Sequence, residues 1–188
     1  MATTADFRNG MVIRLEDGEL YTIVEFQHVK LGRGGAFVRT KLKRVTDGSV
    51  FERNFRAGER VEEVRLEERE AQYLYTDGDR YYFMDNETFE QYEIPSQLVE
   101  DVMKFVKENS DVTILFDEGR PVLVQPPTFV ELKVVETEPG IRGDTVSGGS
   151  KVAKLETGLV LRVPLFIEEG DVIKIDTRTG EYVERVGK

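Results

Sequence analysis

The sequence contains no cysteine and a single histidine, His28. Without cysteine the chain can form no disulfide, thiolate metal site or thiol nucleophile, which fits a reducing compartment. One histidine cannot supply the imidazole pair that metal sites and proton relays use. We interpret His28 as a surface or packing residue, and we predict neither a metal nor a cofactor.

Long apolar runs are also missing. No stretch approaches the roughly 20 apolar residues that cross a bilayer, and the segment Met1–Asp6 has no basic region followed by an apolar run. We therefore expect a cytoplasmic, monomeric protein that makes no membrane contact. Carboxylate clusters such as Glu67, Glu68 and Glu70 have no partnered base, so they favour a solvated surface, and nothing in the sequence supports an enzyme.

Charge is segregated along the chain. The formal net charge is −10. Residues 28–60 hold nine basic and three acidic side chains, a net charge of +6, so the remainder carries −16. This pattern predicts one end that binds phosphate and an acidic, soluble remainder. A solvated run of charge is the alternative explanation.

A glycine-rich turn lies inside the basic region. Two strand-like runs, Leu20–Val29 and Ala36–Val45, are typical of a long hairpin. The residues that join them are Lys30, Leu31, Gly32, Arg33, Gly34 and Gly35. Three glycines remove side chains from around Arg33 and relax the backbone, which predicts a cation presented to a partner. An ordinary solvated hairpin is the alternative.

The strand after this turn is basic on one face. Alternation at period two places Arg39, Lys41 and Lys43 on one side and Val38 and Leu42 on the other. A basic ribbon of this kind can hold a phosphate backbone without reading bases.

Short strands and turns predict a mainly β molecule with three small domains. Residues 1–64 alternate like a compact barrel. Residues 65–127 have five strand-like runs and a helix, expected from Pro95-Ser96 to about Lys107, in the element order of an oligonucleotide-binding (OB) barrel. Residues 128–188 suggest a second five-stranded barrel, and the stiff pair Pro126-Pro127 marks the boundary before it.

In the central segment the first strand is expected at Gln72–Tyr75, after an acidic section. Further strands are expected at Arg80–Asp85, Phe89–Ile94, Val112–Asp117, Pro121–Val124, Thr128–Glu136, Lys154–Glu156, Val160–Val163, Val172–Asp176 and Tyr182–Val186. We interpret the central aromatic residues as core rather than as stacking platforms. They are Tyr73, Tyr75, Tyr81, Phe83 and Phe89.

A second glycine-rich segment, residues 143–151, has some features of a phosphate-binding loop. It fails the nucleotide-binding pattern because Gly149 stands where a lysine is required. Its hydroxyls and amides could still contact a nucleic-acid backbone, and an ordinary long turn is the alternative. A sugar-nucleotide enzyme is disfavoured because no base or metal set accompanies the loop.

Several motifs occur in an order and spacing typical of one protein family. They are Lys30–Ala36, Thr40–Lys43, Tyr92–Pro95, Pro126–Thr128, Gly143–Thr145 and Asp176–Tyr182. Together they resemble bacterial translation elongation factor P, a relative of the hypusine-bearing initiation factor of eukaryotes and archaea. The resemblance covers essentially the whole chain. It implies an N-terminal SH3-like (KOW-type) domain and two OB barrels in an L-shaped, tRNA-like arrangement.

The resemblance also implies a function on the ribosome. Members of that family enter between the P and E sites when synthesis stalls at consecutive prolines. They steady the CCA end of the P-site peptidyl-tRNA so that the peptide bond can form. The implied partners are both ribosomal subunits, rRNA and P-site tRNA. From the residues alone, a general single-stranded RNA-binding or chaperone module that uses the basic hairpin is the alternative.

Candidate site residues follow from the same resemblance. The family's tip residue corresponds to Arg33, within a loop that includes Lys30, Gly32, Gly34 and Gly35. The other candidates are Arg39, Lys41 and Lys43 for the tRNA backbone, Gly143, Asp144 and Thr145 for the small subunit and E-site codon, and Tyr182 and Arg185 for the functional end of the C-terminal domain.

Two residues depart from the family pattern. Many members have proline before the first tip glycine, and Leu31 in its place predicts a less rigid loop. Members with lysine at the tip receive a lysine-derived extension, but Arg33 has no ε-amine to accept it. Arginine members in some lineages are rhamnosylated, so a modifying enzyme acting on Arg33 is a candidate partner. A bare guanidinium can also bind phosphate through two parallel hydrogen bonds and stack on a base.

Overall fold

A computed structural model describes residues 1–140 and 149–188 of the chain. These residues form three β-sheets, one α-helix and a short 3-10 turn at Thr4–Asp6. The strands are β1 (Ala2–Thr3), β2 (Val12–Arg14), β3 (Leu20–Leu31), β4 (Gly35–Arg44), β5 (Val50–Arg56), β6 (Arg60–Val64), β7 (Glu67–Thr76), β8 (Arg80–Asp85), β9 (Gln91–Pro95), β10 (Asp111–Asp117), β11 (Arg120–Gln125), β12 (Phe129–Thr137), β13 (Ser150–Leu155), β14 (Val160–Pro164), β15 (Val172–Asp176) and β16 (Glu181–Gly187). The helix α1 is Ser96–Met103. The mainly β fold predicted from the alternating pattern is confirmed.

The first sheet contains the candidate hairpin. Its strands run in the order β1-β6-β2-β3-β4-β5. Ile13, Ile23 and Leu42 are fully buried in its core, and Phe7 meets Phe55 edge-on with ring centroids 5.4 Å apart. Because apolar and polar residues alternate along β4, one face of that strand packs and the other meets solvent.

The second sheet has the order β11-β10-β7-β8-β9, and α1 follows β9. The strand expected at Gln72–Tyr75 is longer and begins at Glu67. Its first four residues are charged, so the apolar alternation that marks a strand starts only at Ala71. The helix ends at Met103 rather than near Lys107, because the chain tightens there into bonds between residues three apart.

The third sheet has the order β14-β13-β12-β15-β16. Leu155, Ile173 and Ile175 are completely buried in its core. β16 is an edge strand that pairs with β15. It carries the two C-terminal candidates, Tyr182 and Arg185.

The interpretation of the central aromatic residues as core is correct only in part. Buried or half-buried are Tyr73, Tyr81 and Phe83. Tyr75 and Phe89 are 50% and 69% exposed, and for them the interpretation is wrong. Tyr75 lies near the end of β7 and stacks on Tyr82 at 4.5 Å, whereas Phe89 occupies a turn with a φ of 62°. Alternation does not distinguish strand ends and turns from strand interiors.

The chain packs into two compact units. The first comprises Met1–Glu68 and Leu115–Leu123, and the second comprises Arg69–Ile114 and Val124–Lys188. The division into three domains at residues 64 and 127 stays a prediction. In the described part of the chain, no helix has the length and apolar character needed to span a bilayer. Within the same residues, no group of acidic or histidine side chains is arranged to hold a metal ion.

Candidate functional site

The tip of the hairpin is tighter than the sequence predicts. β3 continues to Leu31 and β4 begins at Gly35, so the turn contains only Gly32, Arg33 and Gly34. Leu31 pairs with Gly35 across the turn. Gly35 has a φ of +80°, a conformation that glycine adopts without strain. Arg33 is therefore the central residue of a three-residue turn.

The tip formed by β3 and β4 extends beyond β5, the next strand of the sheet. β5 pairs with β4 only as far as Phe37, which lies opposite Arg56. The last bond from that side is donated by the N–H of Ala57 to the carbonyl of Ala36, at 3.1 Å. Arg33 is exposed, and within residues 1–140 and 149–188 no carboxylate pairs with its guanidinium. The cation is free to bind a partner.

The face of β4 carries the cations that the alternation places there. Val38, Thr40 and Leu42 are buried at 0%, 1% and 0% exposure. Their neighbours Arg39, Lys41 and Lys43 are all exposed. The period-two prediction for this strand is confirmed, and the three cations lie on one side of the sheet that ends in Arg33.

Cross-strand neighbours make this basic face uneven. Lys41 lies between Glu25 on β3 and Glu52 on β5, and its Nζ is 3.8 Å from a Glu25 carboxylate oxygen. Arg39 lies between two uncharged residues, Gln27 and Asn54. Because directly opposite side chains share a face, carboxylates lie beside the charge of Lys41, whereas no carboxylate lies opposite Arg39.

One cation of this face was missed by the sequence pattern. Arg56 is the last residue of β5 and lies opposite Phe37, on the same face as Arg39 and nearer the tip. It is exposed, and no carboxylate in the described part of the chain pairs with its side chain. The register between β4 and β5 is the signal that could have identified it.

Arg44 belongs to a structural cluster instead. Its guanidinium donates to Asp47 at 3.0 Å and lies over the ring of Tyr21, 5.7 Å from the centroid. Hydrogen bonds from the backbone N–H and then the hydroxyl of Ser49 lower the pKa of Asp47 to about 2, with Arg44 adding to the effect. Hydrogen bonds with Tyr21 and Asp47 raise the pKa of Arg44. This arginine stabilises the turn after β4.

The two C-terminal candidates have different environments. Arg185 lies 3.7 Å from a carboxylate oxygen of the buried Asp171, and its guanidinium stands over the exposed ring of Phe166, 5.4 Å from the centroid. Tyr182 packs against the core of the third sheet, and burial raises its pKa. Arg185 is therefore held at the surface by contacts within the protein, whereas Tyr182 is mainly a packing residue. Gly143, Asp144 and Thr145 lie outside the described residues.

Three family models match consecutive parts of this chain. The elongation factor P (EF-P) KOW-like domain matches residues 3–61, the EF-P OB domain matches residues 66–124, and the elongation factor P C-terminal model matches residues 130–185. The chain belongs to the elongation factor P family.

Full-length relatives agree with this assignment. Elongation factor P of Natranaerobius thermophilus is 59% identical over 186 residues, which are 99% of this chain and 98% of that protein. Elongation factor P of Caldanaerobacter subterraneus subsp. tengcongensis is 58% identical over 186 residues, 99% of this chain and all of that protein. The resemblance inferred from the motifs is confirmed.

A solved structure shares the fold of part of this elongation factor P family member. Eukaryotic translation initiation factor 5A from Methanococcus jannaschii aligns with a TM-score of 0.52 and 19% identity, over 66% of this chain and 90% of that one. The expected KOW-type and OB folds are confirmed for the first two matched regions. The relatives named above are elongation factors, and neither name describes an enzyme.

Proposed function

We propose that this elongation factor P family member binds the ribosome between the P and E sites and stabilises the CCA end of the P-site peptidyl-tRNA. Peptide-bond formation at consecutive prolines would then resume. The observation that carries the proposal is the position of Arg33. Its guanidinium is exposed at the end of a two-stranded arm, and no carboxylate of the described residues neutralises it.

Positioning is the chemical contribution of this arm. The ribosome supplies the peptidyl-transferase chemistry, and the factor reduces the motion of a slow substrate. Holding reacting groups in a productive geometry is worth up to roughly 7 to 11 kcal/mol in ideal intramolecular cases. A guanidinium suits this task because it can donate two parallel hydrogen bonds to phosphate and stack on a base.

The basic face of β4 would follow the tRNA backbone. Arg39 and Lys43 have no acidic cross-strand neighbour, since their partners are Gln27 and Asn54, and Thr22 and Val50, respectively. Arg56 extends this face towards the tip. Phosphate contacts of this kind set orientation without reading sequence.

The C-terminal candidates would contact the small-subunit side. By family resemblance, Gly143, Asp144 and Thr145 approach the E-site codon. Arg185 is held by Asp171 and stacked against Phe166, so it could bind an RNA phosphate without a large loss of side-chain entropy. Tyr182 would support β16 from the core side.

Arg33 is also the proposed target of a modifying enzyme. Its exposure makes the guanidinium accessible to such an enzyme. An intact mass one deoxyhexose above that of the chain, for protein from its native host, would indicate rhamnosylation. A mass equal to the chain would establish that Arg33 works unmodified.

Replacement of Arg33 tests the proposal. We expect Arg33→Ala to leave the melting temperature unchanged, because the side chain is exposed and forms no ion pair within the described residues. We expect it to lower read-through of a Pro-Pro-Pro reporter by about tenfold or more. Arg120→Ala is the matched control, since Arg120 is also exposed but lies on β11. Normal read-through with Arg33→Ala would contradict the proposal. A wild-type chain that binds unstructured RNA with a steep salt dependence and shows no proline-specific effect would favour the RNA-chaperone alternative.

A further inference from the structure

The three glycines around Arg33 differ in what the fold requires of them. Gly35 alone has a left-handed backbone, with a φ of +80°. A residue with a side chain would be strained in this backbone conformation, whatever space surrounds it. The turn therefore requires glycine at position 35.

Gly32 and Gly34 have no such structural requirement. Neither has a left-handed φ. A Cβ added at Gly32 would have no atom of the described residues within 4 Å, and one added at Gly34 would lie 3.7 Å from Cδ1 of Leu31, an ordinary contact. Alanine would fit at both positions, so their glycines are not explained by the turn itself.

Other turns of the chain support this distinction. The turns that end in Gly18, Gly48 and Gly180 each have one glycine with a positive φ. The residues before those glycines are Asp17, Asp47 and Thr179, respectively. One glycine is thus enough to build a tight turn in this protein, and the tip at Arg33 has two more.

The backbone N–H groups at the tip are also not used by the fold. The N–H groups of Gly32, Arg33 and Gly34 donate to no acceptor among residues 1–140 and 149–188. Free amides beside a guanidinium form a set of donors that suits the oxygens of a phosphate–sugar backbone. Because Gly32 and Gly34 have no side chains, an RNA backbone could approach the tip to van der Waals distance. A methyl group at either position would prevent that approach.

We infer that Gly32 and Gly34 provide steric clearance, so that the tip fits a narrow cleft walled by RNA backbone on both sides of Arg33. This inference rests on the proposed function and adds to it two residues that determine fit. The guanidinium would bind RNA at the closed end of the cleft. The amides of the two glycines would face phosphate or ribose oxygens along the walls of the cleft. The RNA that forms the cleft is structured, because a flexible single strand could move away from an added methyl group.

Alanine substitutions separate clearance from folding. We expect Gly32→Ala and Gly34→Ala to leave the melting temperature unchanged or to raise it by about 1 to 4 °C, because alanine reduces the freedom of the unfolded chain. We expect each to raise about tenfold or more the concentration of factor needed for half-maximal Pro-Pro-Pro synthesis. Serine and then valine at the same positions should raise this half-maximal concentration further, because their side chains are larger than that of alanine.

Gly187→Ala is the matched control, because Gly187 has no left-handed φ and an added Cβ would have no atom within 4 Å among the described residues. It should behave as wild type in both measurements. Gly35→Ala should lower the melting temperature, because alanine would be strained at a φ of +80°. The experiment uses the full chain in a reconstituted translation system, with protein whose intact mass equals that of the unmodified chain.

Several results would overturn the inference. Wild-type activity of Gly32→Ala and Gly34→Ala, in an assay where Arg33→Ala is inactive, would refute it and leave the proposed function standing. A lowered melting temperature would show that the glycines serve the fold. A defect found only in protein purified from the native host, and absent from the unmodified protein, would assign the clearance to a modifying enzyme. A wild type that is inactive both unmodified and as purified from its native host would refute the proposed function and, with it, the inference.

Discussion

Arg39 and Lys41 are two residues apart on the same face of β4, but they meet different neighbours. Lys41 is flanked by Glu25 and Glu52, whereas Arg39 is flanked by Gln27 and Asn54. An exposed ion pair is weak and screened by salt, yet it competes with an incoming phosphate. The two cations should therefore contribute unequally to RNA binding.

Neutral substitutions measure this difference. We expect Arg39→Gln to weaken binding to ribosomes stalled at consecutive prolines and to reduce the slope of log affinity against log salt by about 1, as for one lost phosphate contact. Lys41→Gln should change the slope by less than half as much, because Glu25 already partly neutralises this lysine. Arg120→Gln serves as the control. Equal effects at Arg39 and Lys41 would refute the difference in available charge.

Cation placement illustrates what the residues alone could predict. Period-two alternation was sufficient to put Arg39, Lys41 and Lys43 on one exposed face. It could not show that Lys41 faces two glutamates or that Arg56 joins the face, because both depend on register. The register between β3 and β4 includes an irregularity between Ile23 and Glu25 that changes which side chains are opposite.

Among the elements, the turn between β8 and β9 is organised by one carboxylate. Asp85 is 1% exposed and accepts the backbone N–H groups of Glu87 and Thr88 at 2.8 and 3.0 Å. The hydroxyl of Tyr92 donates to it at 3.0 Å, and Arg69 donates at 3.1 Å. The two backbone N–H groups, Thr88 first, are the main causes that lower the pKa of Asp85 to about 2.

This lowered pKa has a consequence for stability. Because the pKa falls from 3.8 to about 2 on folding, the carboxylate stabilises the fold above pH 3.8, and that contribution is lost as the pH falls towards 2. We expect Asp85→Asn to lower the melting temperature by several degrees at neutral pH. We also expect it to flatten the fall of the urea midpoint over the same acidic range.

Asp79→Asn is the control for this substitution, since Asp79 is exposed and its carboxylate accepts no hydrogen bond from the described residues. It should leave the melting temperature and the acid dependence unchanged. An Asp85→Asn chain with a wild-type urea midpoint at every pH would show that the turn does not depend on this carboxylate.

Element boundaries were predictable where turn residues mark both ends. β8 and β15 match the expected Arg80–Asp85 and Val172–Asp176 to the residue. β13 was expected at Lys154–Glu156 but occupies Ser150–Leu155. Its start follows two glycines and a serine, which indicate a loop, and only the pairing of Ser150 with Pro164 on β14 brings that residue into the sheet.

At the scale of the whole molecule, charge segregation agrees with the proposed mode of binding. Residues 28–60 carry +6 within a chain of net charge −10. An RNA surface would attract the basic hairpin and repel the acidic remainder, which favours approach of the tip first. The residues predicted this asymmetry. Charge alone could not identify the ribosome as the partner, because the complementary surface belongs to the RNA. The ribosome was inferred from the family motifs.

The most direct test of the account is a cryo-electron microscopy map of the full chain bound to a ribosome stalled at consecutive prolines. We predict that the Arg33 guanidinium lies within hydrogen-bonding distance of the CCA end of the P-site tRNA, with Gly32 and Gly34 in van der Waals contact with RNA on either side. A bound factor whose hairpin turns to solvent, with Arg33 contacting no RNA, would contradict the account.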